Sequence, residues 1–412
     1  MIADTPARFP GGWTWPRVAV TVWVVGGLGL AVHAYLKPTQ HTLFPIYATG
    51  IRAWWSGAED LYERQPETGE YYRYSPAFAV LAGPFGALPS GTGNAAWKLL
   101  NGAVLALGLW AWVRFAAPAT SANFTAGVFL VTFVAVIGNL ANGQANLMTA
   151  GFVLLGLTAA ARDRWWWAAG FLAAATLIKA FPVALALVLS VLFWRKFPLR
   201  YVVALGAGLA LPLAAQSPEY VIEQTGEWFQ HLVKSTDLNR ERLRSLERVF
   251  RHIGLGIEGP AFRALAAGAG AVVLAVAVWS ARRGTERSEL LFRVGAWFSA
   301  WVVLFTPSSE NATFSILGPF VAWALVDALQ RPGAWMRCVW LGASIYLMAL
   351  STGSGGGPLS HFFTTYHAPT AGAVLFQVWL CADLCRSRAQ SIARPVSAPP
   401  DNAPTTALRR AV

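Results

Sequence analysis

VAVTVWVVGGLGLAVHAYL, residues 18–36, decides the class of fold that this chain can adopt. The stretch has no acidic residue, lysine or arginine, and it is about as long as a helix that crosses a bilayer. Arg8 and Arg17 precede it. It is too long for the core of a secretory signal peptide, and no convincing cleavage site of small residues follows it. We therefore predict an uncleaved membrane anchor.

The composition of the whole chain extends this prediction. Of its 412 residues, 55% are hydrophobic and only 13% are charged, whereas about a quarter of an average soluble protein is charged. Apolar blocks of roughly 14 to 20 residues recur along the chain. The sequence predicts an all-α polytopic membrane protein with about 12 transmembrane helices. The predicted spans lie near residues 18–36, 95–114, 122–141, 146–161, 165–178, 181–194, 200–215, 264–281, 290–306, 312–329, 334–350 and 368–385.

Basic residues between the apolar blocks indicate the orientation in the membrane. The basic residues form five clusters. With twelve spans and a cytoplasmic N-terminus, all five clusters fall on the inner side, in agreement with the excess of lysine and arginine in cytoplasmic loops. The basic residues of the cytoplasmic loops then explain the net charge of +12, and no nucleic-acid partner is predicted. The clusters are Arg162/Arg164, Arg195/Lys196/Arg200, Arg282/Arg283/Arg287, Arg331/Arg337 and Arg386/Arg388.

The block PAFAVLAGPFGAL, residues 76–88, does not fit a full span. It has about 13 residues with an internal Gly83-Pro84, and counting it as a span would turn most arginines to the outside. We predict a re-entrant or interfacial segment. The outer side then receives two long loops, residues 37–94 and 216–263. Charges alternate at helical spacing in the second loop, in LNRERLRSLERVFRH (residues 238–252), which predicts a short helix on the membrane surface.

Cysteine and histidine residues give no sign of a metal centre. The three cysteines, Cys338, Cys381 and Cys385, lie in apolar segments, and their spacing suits neither a disulfide framework nor a metal site. The six histidines are scattered and show no ligand spacing with acidic residues. No metal or other cofactor is predicted.

Polar residues at membrane depth mark functional sites, and Lys179 in TLIKAFP is the clearest case. The helices on each side have only about 14 residues, roughly 21 Å, so the turn should lie at or just below the outer headgroup level. An ammonium group there would suit a lipid phosphate, and a lysine snorkelling from a helix end is the alternative. Asn142, Gln144 and Asn146 form another outward turn, either as hydrogen-bonding groups for a sugar or as ordinary turn residues.

Acidic and aromatic residues are concentrated in WWSGAEDLYERQPETGEYYRYSP, residues 54–76. Arg73 could bind phosphate through two hydrogen bonds, and Tyr74 beside it could contact a sugar or belong to the aromatic belt of the interface. Asp60 is a candidate general base or a turn cap. Glu310, in TPSSENATF, is a second candidate base or a charge favoured by a helix N-terminus.

Four motifs follow one another along the chain, namely GAEDLY (57–62), YRYSP (72–76), GQAN (143–146) and LIKAFP (177–182). In this order they resemble glycosyltransferase family 87, the polyprenol-phosphate-mannose-dependent type. The likeness covers roughly residues 18–200, with weaker similarity at residues 244–246 and 306–311. The resemblance implies a C-type glycosyltransferase fold, a lipid-phosphate sugar donor and an active site on the outer face of a bacterial inner (plasma) membrane.

The sequence departs from the family at one expected catalytic position. Family members usually carry an aspartate four residues before a tyrosine in the first outer loop, and that aspartate is the expected base. Here the tyrosine is Tyr47, and the corresponding residue in HTLFPIY is Leu43. Late in the chain, Glu310-Asn311 stands where relatives often have Trp and His. Either the base is another group, such as Asp60 or Glu310, or the chemistry of the family is lost or altered in this chain.

These observations predict a hexosyltransferase. Residues 18–386 would form the transmembrane domain, and the tails 1–17 and 387–412 are expected to be cytoplasmic and disordered. The donor would be a polyprenyl-phosphate hexose, with mannose the expected sugar, and the acceptor an unidentified glycan or lipid. Asp60 or Glu310 would act as base, Lys179 and Arg73 would hold the donor phosphate, and Asn142, Gln144, Asn146 and Tyr74 would bind sugar or acceptor. The alternatives are a transporter or lipid flippase, which would usually show internal repeats, and a non-catalytic scaffold.

Overall fold

The structure is a computed structural model that describes residues 13–57, 60–117, 120–234, 243–306, 309–351 and 358–393. These residues form helices joined by turns and loops, and their β-structure is limited to an isolated bridge between Arg64 and Tyr71. The predicted all-α class is confirmed. Most of the two predicted tails, together with Glu59 and the start of the predicted surface helix (238–242), lies outside the described residues.

The helices have the following bounds in chain order. They are α1 Trp15–Leu36, α2 Phe44–Ser56, α3 Pro76–Leu81, α4 Gly83–Ala87, α5 Ser90–Phe115, α6 Ala122–Asn142, α7 Asn146–Ala161, α8 Trp165–Ile178, α9 Pro182–Leu192, α10 Pro198–Ala210, α11 Pro218–Lys234, α12 Leu246–His252, α13 Pro260–Arg282, α14 Arg287–Phe305, α15 Gly318–Leu329, α16 Trp335–Ile345, α17 Pro358–Thr365 and α18 Ala368–Ala393. Three short segments adjoin these helices. The 3₁₀ segment Leu211–Ala214 extends α10, and the 3₁₀ segment Asn311–Leu317 precedes α15. The π-helical segment Tyr346–Leu350 extends α16.

Seven of these helical stretches are long and apolar enough to cross a membrane, so the chain is a multi-pass membrane protein. They are Trp15–Leu36, Ser90–Phe115, Ala122–Asn142, Pro260–Arg282, Arg287–Phe305, Asn311–Leu329 and Ala368–Cys385. The remaining predicted spans correspond to shorter apolar helices, Asn146–Ala161, Trp165–Ile178, Pro182–Leu192, Pro198–Ala214 and Trp335–Leu350.

The block at residues 76–88 folds into α3 and α4, two helices of six and five residues. Pro76 opens α3, where a missing N–H costs no hydrogen bond, and Pro84 falls in the first turn of α4 for the same reason. At 1.5 Å per residue neither helix exceeds roughly 9 Å, so neither can cross a bilayer. This agrees with the expectation that the block is not a span.

One end of the bundle is marked by Asp163, in the turn between α7 and α8. Its carboxylate pairs with Lys196 at 3.0 Å and with Arg287, and it accepts a hydrogen bond from the Trp165 indole N–H. These partners hold the pKa of Asp163 below its usual range, chiefly through the hydrogen bond from Arg287 and then that from Lys196. Three of the predicted inner basic clusters therefore meet at one end, here called the basic end.

A second, aromatic core lies at the opposite end and is distinct from the main apolar core between the long helices. Helix α11, which the sequence did not predict, covers part of it, because Val221 and Trp228 face inward. Gln224 accepts a hydrogen bond from the Leu61 N–H at 2.9 Å, and Gln216 donates to the Trp54 carbonyl at 2.7 Å. These contacts fix the acid-rich segment between α2 and α3. The core includes Phe44, Tyr47, Trp54, Tyr62, Tyr72, Tyr74, Phe78 and Trp97.

Helices α5 and α7 pack closely, and glycines make this possible. A Cβ atom on Gly108 would lie 2.5 Å from the Gly151 carbonyl oxygen, and one on Gly151 would overlap the Val104 carbonyl. Both obstacles are backbone atoms, so a side chain cannot be fitted by changing a rotamer. Small residues at such crossings let helix backbones approach in membranes.

We expect Gly151→Val to lower the stability of the folded protein. The added side chain forces α5 and α7 apart, at a cost of about 1 to 3 kcal/mol. Thermal unfolding in detergent should give a lower midpoint for this variant. Gly170→Val on α8 is the control, since a Cβ there meets nothing within 4 Å. Equal midpoints for the two variants would contradict the close crossing.

Candidate active site

Four segments from distant parts of the chain meet at the end opposite Asp163. Helix α7 has 16 residues, so it separates the two ends by roughly 24 Å. Asn146 begins α7, and α8 returns along it and ends just before Lys179. We call this end, with Arg73, Gln144, Lys179 and Glu310, the polar end.

Arg73 and Tyr74 are positioned by Ser75. The Ser75 hydroxyl accepts from the Phe78 N–H at 3.2 Å, which caps α3, and it donates to the Leu177 carbonyl at 2.5 Å. Leu177 is two residues before Lys179. The motif YRYSP is therefore held against the motif LIKAFP by a single serine.

Gly143 ends α6 in the left-handed conformation, with φ of 71°. Its carbonyl accepts from the Trp97 indole N–H at 2.7 Å. A Cβ at this position would lie 3.3 Å from the Thr42 hydroxyl, so the turn has little room for a side chain. The left-handed turn starts α7 three residues later, with the side chains of Gln144 and Asn146 buried.

Glu310 stands at the start of the 3₁₀ segment and is partly exposed. Its backbone N–H donates to the Thr313 hydroxyl at 3.2 Å. Asn139, in the last turn of α6, donates to the Ala312 carbonyl at 2.8 Å and to the Ser315 hydroxyl at 2.5 Å. Because α6 also carries the Gly143 turn, the same helix positions Glu310 and Gln144.

These segments place the Glu310 carboxylate between two linked side-chain amides, those of Gln144 and Asn146, and the guanidinium group of Arg73. Gln144 donates through Nε2 to Oε2 of Glu310 at 2.9 Å, and Asn146 donates to Oε1 of Gln144 at 2.6 Å. Arg73 lies 3.8 Å from the other Glu310 oxygen, with both side chains about a quarter exposed. The side-chain amide oxygen of Asn146, Oδ1, is buried without a hydrogen-bond partner in the described structure. The carboxylate is thus oriented yet still open to a ligand.

Two tyrosines and a lysine also belong to the polar end. The hydroxyls of Tyr47 and Tyr74 are 2.7 Å apart, and the Tyr47 hydroxyl also accepts from the Ala145 N–H at 3.1 Å. The Lys179 ammonium lies 5.1 Å from the centre of the Tyr74 ring, within the range of a cation–π contact. Tyr74 therefore connects the Gln144 turn to Lys179.

Burial shapes the ionisation of these groups. It lowers the pKa of Lys179 from 10.5 to about 8; Glu310 opposes this shift and Arg73 adds to it. Burial also raises the pKa of Tyr47 to about 12, against the hydrogen bonds from Tyr74 and Ala145, which lower it. At neutral pH the polar end thus holds a cationic lysine and a neutral tyrosine.

The structure brings together six of the eight residues predicted for the site, namely Arg73, Tyr74, Gln144, Asn146, Lys179 and Glu310. Asp60 is exposed, and its carboxylate accepts a hydrogen bond from the Tyr62 N–H at 2.9 Å, which is the geometry of a turn cap. The negative charge of Asp60 also acts on His231. Asn142 ends α6, and its carbonyl accepts from the Leu43 N–H at 2.9 Å. Leu43 therefore lies at the edge of the same turn.

Two residues of this region were not predicted as parts of the site. Tyr47 had served only to mark the position of Leu43, although a tyrosine one helical turn after that position could have been weighed as a ligand. Lys98 on α5 is buried, and its Cε would lie 3.5 Å from a Cβ on Gly143. A lysine inside a predicted span was a usable signal, since such residues seldom lack a role.

Tyr47→Phe should weaken the junction between the two tyrosines and the Gln144 turn. The change leaves the buried Ala145 N–H without its acceptor, which costs about 1 to 3 kcal/mol. We expect a lower unfolding midpoint in detergent together with slower turnover. Tyr35→Phe, at a side chain that is 58% exposed, is the control. Tyr47→Phe with the midpoint of the wild type would contradict the bond to Ala145.

Within the described residues, no group of three or more His, Cys, Asp or Glu side chains could hold a metal ion. The site consists instead of a carboxylate, amides, hydroxyls and cations at one end of an apolar bundle. Such a set can accept a proton, hydrogen-bond a sugar and bind a phosphate.

An apolar helical bundle with these polar groups at one end defines a multi-pass membrane protein with a polar site at one end of its helices. The sequence model of Glycosyltransferase family 87 matches residues 72–307, more than half of the chain. The chain belongs to glycosyltransferase family 87 and is a membrane glycosyltransferase. The match includes Arg73, Gln144 and Lys179 but neither Asp60 nor Glu310. No curated protein is similar enough to count as a match.

Proposed function

We propose that the protein transfers a hexose, with mannose the first candidate, from a polyprenyl-phosphate donor to an acceptor hydroxyl. The arrangement that carries this proposal is the Glu310 carboxylate between Gln144 and Arg73, with Lys179 nearby. A lipid-linked donor suits a site in a membrane glycosyltransferase, because its polyprenyl chain stays in the bilayer while its phosphate reaches the polar end.

Each part of the reaction has a group in the site that suits it. The acceptor oxygen forms a bond to the anomeric carbon as the bond from that carbon to the phosphate oxygen breaks. The hydroxyl proton goes to Glu310 as general base, and the electron pair of the broken bond leaves with polyprenyl phosphate. Arg73 and Lys179 stabilise the charge that develops on the departing phosphate.

The hydrogen-bond network favours Glu310 over Asp60 as the base. Gln144 fixes one carboxylate oxygen at 2.9 Å, and Asn146 fixes Gln144 in turn. Asp60 caps the turn at Tyr62, and we assign it a structural role at the rim. Asn146, whose buried side-chain oxygen Oδ1 has no partner in the described structure, is the first candidate to bind a sugar hydroxyl. Asn142 remains a candidate contact at the entrance of the same turn.

The same proposal includes twelve spans and an outer-face site in a bacterial inner membrane. The contacts of Asp163 with Lys196 and Arg287 support it, since they gather basic loops at the end opposite Glu310. Polar residues gathered at one end favour an enzyme over a transporter, whose binding site would lie near the midplane.

Transfer from defined donors tests this function. Purified protein in liposomes would receive radiolabelled mannose on polyprenyl phosphate or on a nucleotide diphosphate, with extracted cell-envelope glycans and lipids as acceptors. We expect label to move only from the polyprenyl donor. Transfer from the nucleotide sugar alone, or from neither donor while lipid export is observed, would reject the proposal.

A further inference from the structure

The basic residues Arg331 and Arg337, which the proposed reaction does not use, border a cavity at the basic end. Helix α15 leads away from the Glu310 segment, so Arg331, which follows this helix, lies at the end of the bundle opposite Glu310. The cavity has a volume of about 670 Å³ and lies between the loop after α15, the first turns of α16 and the later turns of α18. Apolar residues, among them Met336 and Val378, form most of its wall. We call it the outer cavity.

Contacts between α16 and α18 show how the outer cavity arises. Nearer the middle of the bundle, the Ser344 hydroxyl donates to the Gly372 carbonyl at 2.7 Å, and a Cβ on Gly372 would lie 2.7 Å from the Ser344 carbonyl oxygen. One turn closer to the basic end, the Trp340 indole N–H donates to the Leu375 carbonyl at 2.8 Å. Past Trp340 the outer cavity separates the two helices. Trp340 therefore borders the cavity on the side nearer the bilayer centre.

The outer cavity has a cationic rim. Arg337 is half-buried, and it makes no ion pair or hydrogen bond within the part of the chain that the structure describes. It lies in the first turn of α16, where the helix dipole disfavours a cation. Arg331 pairs with Asp327 at 2.8 Å, but Asp327 is not part of the cavity wall. Since no carboxylate of the described residues borders this cavity, a negatively charged ligand would complement its rim.

An adjoining cavity of about 570 Å³ shares Arg331 and Arg337 with the outer cavity, but it suits an anion poorly. Glu289 in its wall pairs with Arg293 at 2.6 Å. These acidic side chains would repel an anion, so a negatively charged group of a ligand belongs in the outer cavity, beside Arg337. In the described structure the carboxylates that border the adjoining cavity are those of Glu286, Glu289, Asp327 and Asp383.

The surroundings of the outer cavity decide which kind of anion it suits. On α16, Met336 and Val339 are 66% and 62% exposed, and Val378 on α18 is 49% exposed. Apolar side chains that are exposed on a membrane helix contact lipid, and basic pockets between transmembrane helices bind the headgroups of anionic lipids. A free phosphate ion would leave the apolar wall without a partner. An apolar groove with a cationic rim therefore favours a molecule that has both an acyl chain and a phosphate.

We infer that the outer cavity is a binding site for an anionic phospholipid, with the phosphate beside Arg337 and an acyl chain along Met336 and Val378. The site lies at the opposite end of the bundle from the candidate active site, and the inference does not depend on the sugar that is transferred. A bound lipid would bridge α16 and α18 across the cavity.

Lipid binding to the full chain in a neutral detergent, measured by native mass spectrometry, tests the inference. The probes are phosphatidylglycerol, phosphatidylcholine with the same acyl chains, and glycerol 3-phosphate, which has the anion without the chains. We expect phosphatidylglycerol to bind about tenfold more tightly than phosphatidylcholine, because the choline cation offsets the charge-assisted contact with Arg337. Arg337→Gln should remove this preference and keep the unfolding midpoint of the wild type in detergent without added lipid. Glycerol 3-phosphate at the same concentration should not displace phosphatidylglycerol.

Arg195→Gln is the matched control for charge, because Arg195 is exposed at the basic end and borders neither cavity. It should retain the preference for phosphatidylglycerol.

Val378→Trp tests the groove with Arg337 unchanged. The larger side chain takes the space of the acyl chain, so the affinity for phosphatidylglycerol should fall about tenfold, as expected when two methylene groups lose their contacts. Val374→Trp is its control, since Val374 lies one turn away on the same helix, is also exposed and is outside the cavity wall. This variant should bind phosphatidylglycerol as the wild type does.

Three results would overturn the inference. The first is a wild type that binds phosphatidylglycerol and phosphatidylcholine equally. The second is a preference that persists in Arg337→Gln or disappears equally in Arg195→Gln, which would indicate a general attraction to the basic end. The third is displacement of phosphatidylglycerol by equimolar glycerol 3-phosphate, which would assign the rim to a free phosphate compound.

Discussion

Glu310→Gln should slow sugar transfer strongly while leaving the protein folded. The amide keeps an oxygen that can accept from Gln144, but it cannot take the acceptor proton. General-base contributions are typically about 10² to 10⁴ in rate, and we expect a loss in that range. Initial rates with a radiolabelled polyprenyl-phosphate hexose, at saturating donor, measure it directly.

Asp60→Asn and Glu63→Gln are the controls for this prediction, since both carboxylates are exposed. They should retain rates within a few-fold of the wild type and the same unfolding midpoint. Asp60→Asn with the large loss and Glu310→Gln with near-normal turnover would reverse the assignment of the base.

Lys179 should give donor binding a pH dependence that its substitutions remove. Its pKa is lowered to about 8, so the ammonium is present below that pH and lost above it. The affinity for undecaprenyl phosphate should therefore fall by roughly tenfold per pH unit above pH 8. At pH 7, Lys179→Met should bind at least about tenfold more weakly than the wild type, since one charge-assisted contact is lost.

Lys179→Arg separates charge from position in this experiment. Arginine stays protonated throughout the range, so its affinity should not fall between pH 7 and 9.5. Lys196→Met, at the basic end, should match the wild type at every pH. A wild-type profile that is flat across pH 8, or one that falls equally in Lys179→Met, would contradict the role of this ammonium.

Hydrophobic blocks made the helices predictable, because apolar length alone sets the span of a membrane helix. The Gly83-Pro84 break likewise indicated that residues 76–88 do not form a span. Helix α11 was missed, since its polar face masks the few apolar residues, such as Val221 and Trp228, that cover the aromatic core. Helix α18 runs to Ala393, past the predicted boundary at 386.

The site was predictable where a polar residue interrupts an apolar stretch. Lys179 and the Gln144 turn are such cases, and the fold places both at the polar end. Contacts between distant segments could not be read from spacing. The bond from Ser75 to Leu177 and the bonds from Asn139 to the Glu310 segment depend on packing that only the folded chain has. For the same reason the sequence ranked Asp60 before Glu310.

Photo-crosslinking of the donor lipid tests the central proposal most directly. A polyprenyl phosphate with a diazirine on the isoprene unit next to the phosphate would be irradiated with the protein in nanodiscs, and the labelled peptide identified by mass spectrometry. The proposal predicts labelling near Arg73 and Lys179, reduced in Lys179→Met. The chain also has a cavity of about 670 Å³ at the basic end, lined by Arg331, Arg337 and Trp340. Labelling there, with none near Lys179, would contradict a donor site beside Glu310.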